Sequence, residues 1–229
     1  RLAFDDLLMF QLKAVLERRK INQLKSAPVK FDQEFIQNFV SKLPFKLTKD
    51  QKIAAWEILK DLQKKYPMNR LLEGDVGSGK TVVALMGALQ VAKAGYQSVF
   101  MAPTEILARQ HYQTISYLVG NTIKIALLTS STEEKTEVKK AIAEGEADIV
   151  IGTHAVIQKD VKFKNLALVI LDEQHRFGVA QRAALVKNQE IVPHLLSMTA
   201  TPIPRTLALT VYGDLDISII KEKPKGRQK

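Results

Sequence analysis

Two stretches of the chain carry residue types at spacings that do chemistry. The first, Gly74-Asp75-Val76-Gly77-Ser78-Gly79-Lys80-Thr81, satisfies every fixed position of the pattern G-x-x-x-x-G-K-S/T. Its glycines let the backbone curl until successive N–H groups point at phosphate oxygens, and the helix expected to follow adds the positive end of its dipole. Lys80 is then placed to reach the β- and γ-phosphates, and the Thr81 hydroxyl to ligate Mg²⁺. Such a loop fixes the ligand as a nucleoside triphosphate and goes no further, because kinases, GTPases, transporters and motors share it. The second stretch, Ala167-Leu168-Val169-Ile170-Leu171-Asp172-Glu173, is an apolar run ending in two carboxylates. At the carboxyl end of a buried parallel strand, Asp172 holds Mg²⁺ through water and Glu173 polarises the attacking water. The alternative is that the acidic pair only caps the helix after it; the phosphate loop upstream favours hydrolysis. Gln174 and His175 come next and are candidates to sense the γ-phosphate and pass its state to a moving element.

These groups act only if strands and helices bring them together. From residue 70 onward, short apolar runs alternate with helical periodicity. Strands are expected at 70–72, 98–101, 124–128, 149–151, 167–171, 195–198 and 217–220, and helices at 81–94, 105–119, 133–144, 179–186 and 205–212. This alternation builds βαβ units, so the fold class is α/β with a mainly parallel sheet flanked by helices. Ahead of it lies a helical extension. Leu8, Leu12, Val15 and Leu16 share one face of a helix over 2–24, Arg18, Arg19 and Lys20 sit near its C-terminal end, and Ser26-Ala27-Pro28 breaks it. A second helix starts at Asp32, sets Phe35, Ile36, Phe39 and Val40 on its apolar side and stops before Pro44. Both are expected to pack on the body. A third, with Thr48 as N-cap, runs to Tyr66-Pro67. The expected organisation is a helical extension over 1–45, an α/β domain over 46–220 and a polar, basic linker over 221–229.

Composition sets the outer bounds. At 229 residues and 46% hydrophobic content, the chain suits one large α/β domain with an extension. A net charge of +10 favours a polyanionic partner, nucleic acid or nucleotide. The absence of cysteine excludes disulfides, cysteine nucleophiles and thiolate metal sites together. His111, His154, His175 and His194 share no metal-ligand spacing, which argues against structural zinc. The apolar stretch over 82–92 is too short to span a membrane and contains Gly87 and Gln90. No secretory signal pattern opens the chain, so a cytoplasmic location is the plain reading, and the missing initiator Met suggests a piece of a longer protein.

With these residues in hand, the chain from about residue 45 to 227 resembles the superfamily 2 helicases. Leu47-Thr48 with Gln51 resembles their Q motif, whose glutamine reads adenine; an amide donates and accepts in a bidentate match to that base edge. Phe45 either stacks on the base or belongs to the core. Ala102-Pro103-Thr104-Glu105-Ile106-Leu107-Ala108 resembles motif Ia, and Gly152-Thr153-His154-Ala155 a later nucleic-acid-facing motif. The resemblance implies that Pro103, Thr104, Glu105, Thr153 and His154 contact a DNA backbone; each loop could instead cap its own helix. Leu128-Thr129-Ser130-Ser131 departs from the Thr-x-Gly turn common in the family, so contact there is not carried over. Ser197-Met198-Thr199-Ala200-Thr201 resembles motif III, with Thr199 and Thr201 as coupling hydroxyls. Pro202-Ile203-Pro204-Arg205 is shared by the RecG family and the transcription-repair coupling factors, and Gln174, with Arg176-Phe177-Gly178-Val179 and Tyr212-Gly213-Asp214-Leu215-Asp216, points to the RecG family. That resemblance implies a RecA-like fold and a bacterial, monomeric, ATP- and Mg²⁺-dependent translocase on branched duplex DNA such as forks and Holliday junctions. It also implies a second RecA-like domain and an N-terminal wedge outside this chain. A coupling-factor-like translocase, a protein-translocating P-loop ATPase and a non-hydrolysing nucleotide module are the alternatives.

Overall fold

The computed structural model describes residues 2–172, 191–201 and 215–222. Among them the strands are β1 (Asn69–Gly74), β2 (Gln97–Met101), β3 (Ile125–Leu128), β4 (Ile149–Gly152), β5 (Leu166–Leu171), β6 (His194–Thr199) and β7 (Asp216–Ile220). The helices are α1 (Leu2–Gln23), α2 (Gln33–Ser41), α3 (Lys49–Asp61), α4 (Lys80–Lys93), α5 (Glu105–Val119) and α6 (Lys135–Glu144). All seven expected strands form. The helices expected at 179–186 and 205–212 lie outside the described residues, as do 223–229 of the expected linker. Lys221 and Glu222, its first two residues, donate their backbone N–H groups to Asp50 Oδ2 on α3 at 2.9 and 3.0 Å.

The strands make one parallel sheet in the order β3-β4-β2-β5-β6-β1-β7. Every residue of β2, β4 and β5 is buried; β5 accordingly reads as a continuous apolar run, while β2 opens on buried Gln97 and Ser98, and helices cover both faces of a sheet of this kind. The edge strands β3 and β7 are only partly buried. Against the sheet lies α4, buried from Val82 to Val91. A Cβ on Gly87 would meet Ile58 of α3 at 3.3 Å and Leu168 of β5 at 3.7 Å, so glycine sets how closely α3 and α4 approach. A buried charge network ties α3 to the sheet. Arg70 of β1 pairs with Asp61 at 2.7 Å and Glu57 at 3.2 Å, and donates to Ser218 of β7 at 2.8 Å.

The extension is held in two ways. Its segment 25–29 is laced to the body by Ser26 N–H to the Lys65 carbonyl, Val29 N–H to Leu62 and Val192 N–H to Lys25, at 2.8–2.9 Å. Buried Gln90 of α4 donates to the Lys30 carbonyl at 2.8 Å and accepts from Asp32 N–H at 3.1 Å. Helix α2 packs as expected: Ile36 is buried, and Phe35, Phe39 and Val40 lie against the core. Helix α1 does not. Leu8, Leu12, Val15 and Leu16, expected to pack on the body, are exposed, while Arg18 near its C-terminal end pairs with Asp216 at 2.7 Å. Periodicity establishes that a helix has an apolar face, not that anything in the same domain covers it.

Candidate active site

The carboxyl ends of β1, β6 and β5 lie side by side, and the site is built on them. Beyond β1, Ser78 N–H returns to the Asp75 carbonyl at 3.0 Å and closes a turn whose apex, Val76, is 84% exposed. Gly77 and Gly79 have φ values of 80° and 86°, and Gly79 is the N-cap of α4 with no side-chain cap bond. Gly79 has no side chain with which to cap the first turn of α4, so the orphan backbone N–H groups of that turn are left to the loop. A Cβ on Gly74 would lie 2.6 Å from Ser78 Oγ and 3.0 Å from the Ile220 carbonyl. Ser78 is buried, and its Oγ has no hydrogen-bond partner among the described residues. Lys80 Nζ donates to the carbonyls of Gly74 (2.5 Å) and Asp75 (3.1 Å), which hold the ammonium across the loop. A cradle of N–H groups with a lysine at its rim fits a triphosphate, and the Thr81 hydroxyl with the Asp172 carboxylate supplies the hard oxygens Mg²⁺ prefers.

Gln51 is where the sequence expected an adenine contact. The structure puts its amide against the protein: Oε1 accepts from Thr48 N–H at 2.8 Å, and Nε2 donates to the Ser78 carbonyl at 2.7 Å. With Thr48 Oγ1 accepting from Gln51 N–H, this forms a capping box whose glutamine clasps the phosphate loop from below. The residue is 1% exposed, so in this arrangement the edge assigned to the base faces the loop. Phe45 is exposed, which removes its core alternative.

Asp172 follows β5. Its N–H donates to the Met101 carbonyl at the end of β2 (2.9 Å), and its Oδ2 lies 2.8 Å from His111 Nε2 on α5. Strand β6 runs between β1 and β5, pairing Thr199 with Glu73 and Ser197 with Leu171. Thr199 is buried between the phosphate loop and Asp172, and its Oγ1 accepts from Thr201 N–H at 3.2 Å. Glu173, Gln174 and His175 lie outside the described residues, as do Pro202-Ile203-Pro204-Arg205 and residues 211–214.

The loops expected to face DNA sit at the same end of the sheet. Ala102 N–H donates to the Gly152 carbonyl at 2.8 Å, joining the loop of Pro103 and Thr104 to that of Thr153 and His154. Thr104 caps α5, accepting from Leu107 N–H at 3.3 Å. Glu105 accepts from Arg109 at 3.0 Å and from Ser131, and the Ser131 hydroxyl and then Arg109 hold its carboxyl below the usual range. A carboxylate repels phosphate; here it orders Arg109 and Ser131, residues the sequence reading did not single out. Thr129 is fully buried, its N–H capped by Thr132 Oγ1 at 2.8 Å. His154 is exposed, and Thr153 caps no helix by its side chain. The absence of metal-ligand spacing among the four histidines gives no hint of the contact His111 makes with Asp172. The spacing of seven between His111 and Thr104, two turns along one helix face, was the available signal.

The family described as DEAD/DEAH box helicase matches residues 48–210, most of the chain, leaving outside it only Phe45, Leu47 and the stretch 212–216 among the motifs above. The chain belongs to the DEAD/DEAH box helicase family. Among curated members it is 52% identical to the ATP-dependent DNA helicase RecG of Aquifex aeolicus, over 100% of this chain and 29% of that protein. It is 49% identical to RecG of Thermotoga maritima, over 100% of this chain and 30% of that protein. A solved structure of RecG bound to a three-way DNA junction superposes with a TM-score of 0.89 at 45% identity, covering 100% of this chain and 31% of that one. The Hef helicase domain of Pyrococcus furiosus shares the fold at 22% identity, with a TM-score of 0.57 over 75% of this chain and 37% of that one. The seven-stranded parallel sheet is thus the RecA-like helicase fold, as the sequence implies. The chain spans about 30% of the length of the curated relatives it matches. Among the described residues, no helix is long and apolar enough to cross a membrane.

Proposed function

We propose that this chain is the first RecA-like motor domain of a RecG-type DNA helicase, binding and hydrolysing ATP with Mg²⁺ to drive branch migration of forked and Holliday-type duplex DNA. The observation that carries the reading is the row of strand ends: phosphate loop, Thr199 and Asp172 stand side by side on β1, β6 and β5. It is joined to full-chain identity of about half with RecG helicases.

The chain's own residues divide the work. The loop N–H groups and the N-terminus of α4 bind the phosphates, and Gln51 keeps the loop in register through Ser78. Lys80 exchanges the carbonyls of Gly74 and Asp75 for β- and γ-phosphate oxygens. Thr81 and, through water, Asp172 would hold Mg²⁺, which would supply electrostatic stabilisation of the negative charge that develops on the phosphates. Glu173 orients the attacking water and accepts its proton. Thr199 and Thr201, with Gln174 and His175, relay the state of the γ-phosphate to the DNA-facing loops that carry Pro103, Thr104, Thr153 and His154. The track on DNA is backbone-directed and sequence-tolerant. The motor acts as a monomer in the cytoplasm, with a second RecA-like domain and a junction-binding wedge completing the machine.

Two substitutions in the intact protein test this. Lys80→Ala is expected to lose ATP binding, whereas Glu173→Gln retains it and loses turnover by at least about 100-fold. Unchanged turnover in Glu173→Gln would remove that residue as the base, and DNA-independent, DNA-indifferent hydrolysis by the wild type would remove the helicase reading.

A further inference from the structure

Asp172 is tethered twice to a single structural unit, the end of β2 with α5. Its backbone N–H bonds to Met101, the last residue of β2. Its carboxylate bonds to His111 at 2.8 Å, with both side chains largely buried at 12% and 13% exposure. A carboxylate accepts only, so Nε2 is the ring nitrogen that carries the proton toward it. The imidazole is itself fixed, its ring centre 4.7 Å from that of Phe100 on β2 at a 46° tilt. Nothing in the hydrolysis scheme above uses this histidine.

Helix α5 has its other end in the DNA-facing loops. Thr104 caps it, and its first turn is locked by Glu105, Arg109 and Ser131, the last from the loop after β3. Seven residues at 1.5 Å each place His111 about 10 Å along the axis from that end, on the same face. A hydrogen-bonded helix moves over that distance as a rod. A shift of the loop at 102–105 is therefore delivered to the Asp172 carboxylate through one side chain, without crossing the sheet.

We propose that His111 is a positioning residue for the Asp172 carboxylate, and that through it α5 couples the loop at 102–105 to the magnesium-holding group of the nucleotide site. The proposal rests on the nucleotide-site reading given above. It differs from the Thr199 and Thr201 route, which runs through β6. Groups that orient a metal-holding residue cost about 10- to 100-fold in metal affinity or activity when removed.

The test uses the intact protein and three substitutions at this position. His111→Ala removes ring and donor. His111→Phe keeps a ring against Phe100 and removes the donor. His111→Gln gives up the ring and returns an N–H at similar reach. Affinity for a fluorescent ATP analogue is measured with Mg²⁺ and with EDTA, beside ATPase rates with and without forked duplex. His111→Ala and His111→Phe are expected to weaken Mg²⁺-dependent binding by about tenfold and leave metal-free binding unchanged. The DNA-stimulated rate falls more than the unstimulated one, and His111→Gln recovers most of both losses. A wild-type-like His111→Phe would show that ring packing is the whole role and overturn the proposal. Equal losses with and without Mg²⁺ would overturn it too, as would a folded His111→Gln no better than His111→Phe. If His111→Ala fails to fold, the Phe and Gln variants still decide. Failure of the nucleotide-site reading has another signature: the wild type itself would not bind the analogue, with or without Mg²⁺.

Discussion

At Gly79 two independent constraints fall on one residue. Its φ of 86° lies where L side chains are strained, and a Cβ would sit 2.3 Å from Gln51 Nε2, the atom that clasps the loop through Ser78. Gly95, just past the end of α4, has a φ of 81° with nothing within 4 Å of its Cβ position. Alanine at either place carries a backbone cost of about 1–2 kcal/mol. Only at Gly79 does the added methyl also break the clasp. Gly79→Ala is expected to lose ATP-analogue affinity by at least about tenfold, or about 1.4 kcal/mol, while Gly95→Ala loses melting temperature and keeps affinity. Equal affinities in a binding titration of the two variants would show that the clasp is dispensable. The loop glycines and Lys80 were legible in the sequence because a phosphate cradle demands specific residue types at fixed spacing, and the place of Asp172 because an apolar run marks the strand it follows. The role of Gln51 toward Ser78 and the contact of His111 with Asp172 were not, since each joins groups 27 and 61 residues apart and depends on how elements pack.

Between elements, one buried histidine adds a side-chain link to the bonds that hold the extension on the motor. His194 opens β6 with no exposed surface; its Nδ1 accepts from Met68 N–H at 2.9 Å, and its Nε2 donates to the Ala27 carbonyl at 2.9 Å. The pattern requires the neutral ring protonated at Nε2. Burial lowers its pKa from the ordinary 6.5, and the bond to Ala27 opposes the shift only in part. Because the folded pKa is the lower one, the unfolded chain takes up the proton first as pH falls. The stabilisation is complete above about pH 6.5 and is lost as pH drops from there through the folded pKa. Protonation at Nδ1 would also turn two donors, ring and Met68 N–H, toward each other. His194→Phe leaves the Met68 N–H buried without its acceptor and is expected to cost about 1–3 kcal/mol at pH 7.5. In urea melts the gap between wild type and variant narrows as pH falls from 6.5 to 5. A gap constant over that range would rule out the neutral-ring account. Packing of α2 was readable from its periodicity, but this histidine was not, because its partners come from the segment at 27 and from the residue before β1.

At the scale of the molecule, alternating apolar runs and helical patterns were enough to place the strands, since a parallel sheet covered on both faces leaves long hydrophobic stretches in the chain. Strand order was not readable: that β6 enters between β1 and β5 follows from long crossovers, and it is this insertion that sets Thr199 between the phosphate loop and Asp172. The exposed face of α1 was equally hidden, because an amphipathic pattern does not name its partner. One further property belongs to the sheet as a whole. Its strand ends form a single wall, with the loop apex at Val76 open to solvent. Phosphoryl transfer spreads negative charge over the γ-phosphate oxygens, and a cation brought against the far side of that group, as an arginine finger is in related chemistry, contributes on the order of 10³- to 10⁵-fold. In the proposed function Lys80 acts from the loop side of the phosphates, where its Nζ meets the carbonyls of Gly74 and Asp75. This 229-residue chain by itself is therefore expected to bind ATP weakly and hydrolyse it at least about 1,000-fold more slowly than the intact protein on forked DNA. Side-by-side steady-state ATPase assays check this. A DNA-stimulated rate for the chain alone that equals that of the intact protein would mean that one wall suffices and that no second domain supplies the missing charge.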